Sequence, residues 1–550
     1  MDDMLSFPSI WVNGLRLDLS MAGYVLSIPL ILGLFGSVFS KAVATISKWY
    51  WVAIFLFVLL IVAVDPYFFS YWGQKTNLGF TQFLGKENAG LASIEMKTYL
   101  TVIVFAVVYS LLFWKYAIPF LTVGKKHSWW ANTLLLALCV FMIRGGIGKV
   151  PINVSSAYHS SSHLHNNTAV NAVWNFLATE FERDKHKALV FFEDESRAAA
   201  VLSNLKTRKN LELADYLSKG ENPNVVLIVL ESFSAKVVGF LGGNQYAATP
   251  ELDEIMESGI AYTNAYAASF RSDKGLLALT TGVPSSARQT LTNFPDKLAQ
   301  RPNIFKSLRS SYHSSFYYGG DLEFANIKVL FQDATDVFSQ KEINGKSKNA
   351  WGVHDHEVFK LFADNFLSKS RPQFKMLFSL SSHEPFDVPE YKTLDDPFLN
   401  SISYTDSCLG VLINRLRQSE KWDNTIVLIT ADHGTIRPDN APIWNPINFK
   451  IPLVLTGGLV KKDTTISNIV SQLDIPATII SYLNDTAQFT QSSIFQPANH
   501  AFYSYHDGLG LITDSCIQHY DLGRKEYLES PCTIPFEKAF FEHANQDFFK

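Results

Sequence analysis

Two β-branched runs in this chain end in acids. Residues 224–230, Asn-Val-Val-Leu-Ile-Val-Leu, run into Glu231, and residues 425–430, Thr-Ile-Val-Leu-Ile-Thr, run into Ala431-Asp-His-Gly434. Between them Phe270-Arg-Ser-Asp-Lys-Gly275 is a polar turn that opens onto a small-residue, helix-like stretch. Two carboxylates and an imidazole form a ligand set for Mn²⁺, Zn²⁺ or Mg²⁺ and leave room for a hydroxyl or a substrate oxygen. A divalent ion there can hold the Ser272 side chain as an alkoxide, a nucleophile at neutral pH. Taken singly, each residue reads equally well as a capping acid or a core histidine. Their order, and their place at strand ends, joins them.

Such residues meet only if a sheet brings them to one edge. From residue 223 onward strand-like and helix-like stretches alternate. Strands are expected at 224–230, 314–318, 375–380, 425–430, 452–456 and 501–505, and amphipathic helices at 302–310, 358–368 and 404–417. This alternation predicts an α/β domain whose mostly parallel sheet is covered by helices on both faces. Ligands of such sheets bind beyond the carboxyl ends of the strands, where Glu231 and Asp432-His433 fall.

The chain upstream differs. Four apolar stretches, about 21–40, 49–65, 100–120 and 130–147, predict an α-helical transmembrane anchor, with Trp49-Tyr-Trp51 and Trp129-Trp130 as interfacial belts. Lys41 and Lys48 lie between the first two spans, and Lys115, Lys125 and Lys126 between the last two, with no acid in either loop. The positive-inside rule puts both loops in the cytoplasm and everything after Arg144 outside. It also leaves the N-terminus outside, and residues 8–18 read as an interfacial loop that once followed another span. The expected domains are a membrane domain over 1–149, a juxtamembrane helical linker over 150–222, a catalytic domain over 223–500 and a completing subdomain over 501–550. His159, His163 and His165 have the spacing of a solvated loop more than of a metal site.

A length of 550 residues exceeds one domain, and a net charge of −4 speaks against a nucleic-acid partner. Of four cysteines, Cys516 and Cys532 flank a hairpin-like stretch and are able to pair in an oxidising compartment. No CxxC occurs, which argues against structural zinc.

Residues 223–500 resemble the alkaline phosphatase–sulfatase superfamily, and the whole chain resembles its lipoteichoic acid synthase and phosphoglycerol transferase branch. The matching stretches are Arg144-Gly-Gly, Leu230-Glu-Ser-Phe233, Phe270-Arg-Ser-Asp-Lys-Gly275, Ser381-Ser-His-Glu-Pro-Phe386, Ala431-Asp-His-Gly434 and Gln472-Leu-Asp-Ile-Pro-Ala-Thr478. The resemblance implies one divalent metal, usually Mn²⁺, held by Glu231, Ser272, Asp432 and His433. Ser272 and His383 would be catalytic, His383 as proton donor to the leaving oxygen. Asn326, Trp351, Asp355 and His383 would line the substrate cleft, with Arg271 and Lys274 flanking the phosphate. A multi-pass protein of the bacterial cytoplasmic (inner) membrane follows, its catalytic domain extracytoplasmic or periplasmic. It would move a phosphoryl-alcohol head group from a membrane lipid donor to a glycan or lipid acceptor.

The departures from the family pattern are specific. Ser272 stands where this branch has Thr. Lys274 and Leu276 replace the Pro and Arg that sulfatases need for formylglycine formation, which disfavours sulfate hydrolysis. Asp406-Ser-Cys-Leu-Gly410 has Gly where a second metal site needs His. Tyr318, Ala325 and Ile327 replace the His, Trp and Arg that grip glycerol phosphate, while Phe324 and Asn326 remain. A sulfatase-like or phosphodiesterase hydrolase, or a non-catalytic membrane-tethered scaffold, are the alternatives.

Overall fold

The structure, a computed structural model, describes residues 2–35, 40–72, 75–76, 96–117, 129–147, 152, 154–157, 163–183, 197 and 200–201. It also describes 211–542 apart from gaps at 288–289, 294–297, 299, 323, 369–371, 484–488, 490–491, 507, 529–534 and 537. The chain divides into two compact units, Met1–His186 and Lys187–Lys550.

In the second unit the continuous apolar runs become central strands. β1 (Asn224–Leu230) and β6 (Thr425–Ala431) are buried at every residue, as strands covered on both faces must be. The other strands of the large sheet are β2 (Ile260–Tyr266), β3 (His313–Tyr318), β4 (Asp336–Phe338), β5 (Gln373–Phe378), β7 (Lys450–Thr456) and β8 (Thr464–Ser471). Their spatial order is β4-β3-β5-β1-β6-β7-β2-β8. All neighbours pair in parallel except β7, which is antiparallel to both β6 and β2. The carboxyl ends of β1, β2, β3, β5 and β6 therefore share one edge. β2 and β8 escaped the sequence reading because neither alternates cleanly nor is wholly apolar.

The expected strand at 501–505 exists as β9 (His500–Tyr505) but leaves the large sheet. With β10 (Gly508–Thr513), β11 (Ile517–Asp521) and β12 (Glu526–Tyr527) it forms a separate antiparallel sheet. Cys516 is in a disulfide and Cys139 and Cys408 are free thiols; Cys532 lies outside the described residues.

The first unit is helical. Two helices are long and apolar enough to cross a membrane, over Phe7–Leu34 and Lys41–Ser70; the apolar helices at Leu100–Tyr116 and Trp129–Arg144 are shorter. Among the described residues, length and composition thus support two of the four spans expected. Residues 8–18 are not a loop: they continue the helix Asp2–Leu34. Leu56, Leu60, Leu134 and Val140 point outward, as side chains facing lipid would. Residues expected to form a separate linker pack on the first helix instead, with Ile152, Ala157, Ala169 and Val170 buried against Leu17. His163 and His165 begin a short helix, His163–Ala169, and His159 lies outside the described residues.

Candidate metal and nucleophile site

Parallel register explains how two acids far apart in sequence meet. Leu230 pairs with Ala431, so the next residues, Glu231 and Asp432, step off adjacent strands together. Ser232 then turns with φ +58°, a left-handed conformation that costs a residue with a Cβ on the order of 1 kcal/mol. The turn points the Ser232 N–H at Asp432 Oδ1 (2.9 Å), which also accepts from the His433 N–H (2.8 Å). A serine cluster grips Glu231 from β5: its N–H donates to Ser379 Oγ (2.8 Å) and its carbonyl accepts from Ser382 Oγ (2.7 Å).

Ser272 arrives from the third side as the first residue of the helix Ser272–Thr281. Its Oγ lies 3.2 Å from Glu231 Oε2 and 3.4 Å from His433 Nε2. His433 Nε2 is 3.4 Å from Asp432 Oδ2 and 3.6 Å from Glu231 Oε1. The other ring nitrogen, Nδ1, bonds the Gly434 carbonyl at 2.7 Å, so it carries the proton and Nε2 presents its lone pair to the cluster. Gln472, noticed in sequence only as part of a motif, is the brace behind this corner. Its amide donates to the carbonyls of Ala431 (2.9 Å) and Asp432 (2.7 Å) and accepts from the Ala268 N–H (3.1 Å), tying β6 to the approach to Ser272.

The charges call for a cation. Glu231 is 2 % exposed and Asp432 fully buried. Burial, reinforced by the Glu231 charge, pushes the Asp432 carboxyl up to about 7. Burial alone would lower His433, but Asp432 and Glu231 outweigh it and raise the imidazole. Asp432 Oδ2 has no hydrogen-bond partner although it is buried, a costly state for a carboxylate oxygen. Ligand atoms of Glu231, Asp432 and His433 all lie within 4.8 Å of one another. An orphaned oxygen, a second carboxylate and a correctly polarised imidazole fit a divalent ion.

The other expected site residues fall into two groups. His383 and Trp351 pack beside the cluster with ring centroids 4.4 Å apart and planes tilted by 53°, and Phe324 meets Trp351 edge-on at 5.5 Å. His383 Nδ1 bonds the Glu384 carbonyl (2.9 Å), burial lowers its pKa, and Nε2 has no partner among the described residues. Asn326 lies in the 3₁₀ helix Phe324–Phe331.

Four residues are engaged elsewhere. Asp355 is buried and accepts from the N–H groups of Leu380 (2.7 Å) and Ser381 (3.1 Å) and from Thr405 Oγ1 (2.8 Å). It fixes the chain entering the His383 loop. Lys274 is buried and donates to the carbonyls of Ser286 and Ala287, both at 2.8 Å; burial pulls its pKa down to about 7. Arg271 pairs with Asp273 (3.1 Å). Asp406 caps the helix Pro250–Glu257 through the N–H groups of Glu251 and Leu252, both 2.9 Å.

This fold and corner define a sulfatase-type domain, and the sulfatase family model matches residues 223–485. The chain is similar there to members of the alkaline phosphatase–sulfatase superfamily, lipoteichoic acid synthases and phosphoglycerol transferases among them. A lipoteichoic acid synthase of Staphylococcus saprophyticus is 24 % identical over 277 residues, 46 % of this chain and 42 % of that protein. Phosphoglycerol transferase I of Xanthomonas axonopodis pv. citri is 25 % identical over 233 residues, 38 % of this chain and 33 % of that protein. The chain thus spans less than half the length of these curated relatives. An alkaline phosphatase superfamily structure from Vibrio parahaemolyticus shares the fold, with a TM-score of 0.57 and 24 % identity over 65 % of this chain and 96 % of that one.

Proposed function

We propose that the chain is a membrane-anchored, metal-dependent phosphotransferase. It moves a phosphoryl-alcohol head group, phosphoglycerol-like, from a lipid donor to a glycan or lipid acceptor outside the cytoplasm, through a covalent intermediate on Ser272. The observation that carries this reading is the approach of Ser272 Oγ to Glu231 Oε2 and His433 Nε2, beside an Asp432 oxygen with no other partner. Glu231, Ser272, Asp432 and His433 would hold the divalent ion, Mn²⁺ foremost and Zn²⁺ or Mg²⁺ as alternatives, which supplies the charge that lets a serine deprotonate at neutral pH.

Ser272 Oγ attacks phosphorus, the bond from phosphorus to the lipid oxygen breaks, and a diacylglycerol-like alcohol leaves with the proton freed from the serine. The phosphoryl-alcohol stays on Ser272 until an acceptor hydroxyl attacks phosphorus, yields its proton and releases the serine. His383, with Nε2 open, is the group assigned to proton delivery at the leaving and entering oxygens.

Two further points support a diester substrate. Lys274 is spent on the backbone carbonyls of Ser286 and Ala287, so it is not placed to neutralise a second negative charge. A phosphodiester carries one charge, whereas a phosphate monoester carries two near neutral pH. The lipid donor rests on the two helices of membrane-crossing length and on the names of the relatives.

The test is intact-mass analysis of the purified full chain with Mn²⁺ and phosphatidylglycerol. A phosphoglycerol adduct is expected on the native protein and none on Ser272→Ala. An adduct persisting in the variant removes Ser272 from the mechanism, and glycerol phosphate released to water as the sole product makes the enzyme a phosphodiesterase.

A further inference from the structure

Loops leave β1, β5 and β6 at the metal corner, and two side chains tie them together. The turn after Glu231 carries Lys236, whose buried ammonium donates to the Ile436 carbonyl (2.9 Å), Asp439 Oδ1 (2.6 Å) and Asn448 Oδ1 (2.9 Å). The segment that leaves His433 is thereby held to the Glu231 turn, and the next residue along it is Arg437. Arg437 Nη2 lies 3.6 Å from Glu384 Oε1, and its guanidinium stands over the Phe386 ring, 5.2 Å from the centroid. Arg437 thus grips the His383 loop at the residues on either side of Pro385.

The gripped loop is the one that orients His383. His383 Nδ1 donates to the Glu384 carbonyl at 2.9 Å, so the residue whose carboxylate meets Arg437 also fixes which His383 nitrogen carries the proton. The turn closes with the Phe386 N–H on the His383 carbonyl (2.9 Å), and Phe386 takes φ +64°, a left-handed conformation rare for a bulky side chain. Such a conformation persists only where its surroundings hold it. Phe398 meets the Phe386 ring edge-on at 5.5 Å, and Arg437 covers that ring. Upstream of His383 the loop is anchored to the corner by Ser382 Oγ on the Glu231 carbonyl (2.7 Å); Arg437 anchors it downstream. A guanidinium suits both contacts, since it offers charge to a carboxylate and a flat face to an aromatic ring.

We infer that Arg437 is a positioning residue: by clamping Glu384 and Phe386 it holds the His383 imidazole where it passes a proton to the leaving oxygen. The inference rests on the phosphotransferase reading and adds a device that couples the loop of an ion ligand, His433, to the loop of the proton donor. Arg437 acts through His383, not on phosphate. Proton transfer by a side chain depends on its placement within hydrogen-bond reach of the reacting oxygen, so a loosened loop slows the steps that need that proton and spares those that do not.

The test follows the single-turnover rate at which the full-length protein, in detergent with Mn²⁺, forms its Ser272 adduct from two diesters. Phosphatidylglycerol expels an alkoxide that needs a proton; bis(4-nitrophenyl) phosphate expels 4-nitrophenolate, which departs as a stable anion. Arg437→Met keeps an apolar stem and removes the guanidinium. Its rate is expected to fall roughly 10- to 100-fold with phosphatidylglycerol and to stay within about threefold with the nitrophenyl ester. Glu384→Gln, which keeps the backbone carbonyl on His383, should show the same selective loss. Arg437→Met added to His383→Gln should slow neither ester further. Equal loss on both esters, loss on neither, or further slowing in the His383→Gln background overturns action through His383. A native protein that forms no adduct from phosphatidylglycerol overturns the phosphotransferase reading, and this inference with it.

Discussion

A Cβ added to Gly275 would stand 2.1 Å from the carbonyl oxygen of Asp432. The helix that presents Ser272 and the strand end that presents Asp432 and His433 therefore touch backbone to backbone. Gly275→Ala must push them apart, since neither the backbone carbonyl nor the braced β6 end can retreat; Gln472 holds that carbonyl at 2.7 Å. Overpacking of this kind costs roughly 1–3 kcal/mol. The larger effect is on geometry, because a displacement of about 1 Å between nucleophile and its activating groups costs on the order of 100-fold in rate. The variant should remain folded by circular dichroism and lose at least that factor in kcat. Wild-type turnover would show that the contact does not set the geometry of Ser272.

Lys274 separates a structural from a substrate role. Its ammonium satisfies two carbonyls in the segment after the helix, and Lys274→Met leaves both unpaired. Each buried unsatisfied group costs about 1–3 kcal/mol, offset in part by no longer burying a charge. The melting temperature should drop by several degrees while KM for a diester substrate stays within about twofold. A raised KM with unchanged melting would restore Lys274 to the phosphate site.

The metal corner was legible because its signals are local. An unbroken run of Val, Ile and Leu marks a doubly covered strand, and an acid at its end falls where parallel sheets bind ligands. The partners of Lys274 and Asp355 were not legible, because a lysine two residues past a nucleophile looks the same whether it faces phosphate or the carbonyl of Ala287. β2 carries Thr263 and Asn264 within an irregular register, so no simple period reveals it. Residues 8–18 were mistaken for a loop on the strength of Pro8, Asn13 and Gly14, all of which the long helix contains.

Asp432→Asn should act in opposite directions with and without metal. Without an ion, two buried carboxylates repel and Asp432 Oδ2 lacks a partner, so removing one charge should leave the protein as stable or more so in EDTA. With Mn²⁺ the native protein gains stability through ligand binding, about 2.7 kcal/mol at a concentration 100 times Kd. The variant should lose most of that gain. Thermal melts with EDTA and with Mn²⁺, alongside bound manganese per chain, provide the check; full occupancy in the variant would exclude Asp432 as a ligand.

His519 provides a pH dependence outside the metal corner. It is buried on β11, with Nδ1 2.5 Å from the Tyr503 hydroxyl and its ring 5.2 Å from that of Trp444. Burial lowers its pKa from 6.5 to about 4. A base whose folded pKa is depressed binds fewer protons than in the unfolded chain, so stability is full above 6.5 and declines as pH falls toward 4. The whole window is worth roughly 3 kcal/mol, at about 1.4 kcal/mol per pH unit. His519→Gln removes the titrating group, so the difference in unfolding free energy between native protein and variant should be largest at pH 7 and shrink by pH 4.5. Taking that difference cancels the pH response of Glu231, Asp432 and His433, which both proteins share. A gap that stays constant between pH 7 and 4.5 would mean that His519 takes up its proton equally well in the folded and unfolded chains.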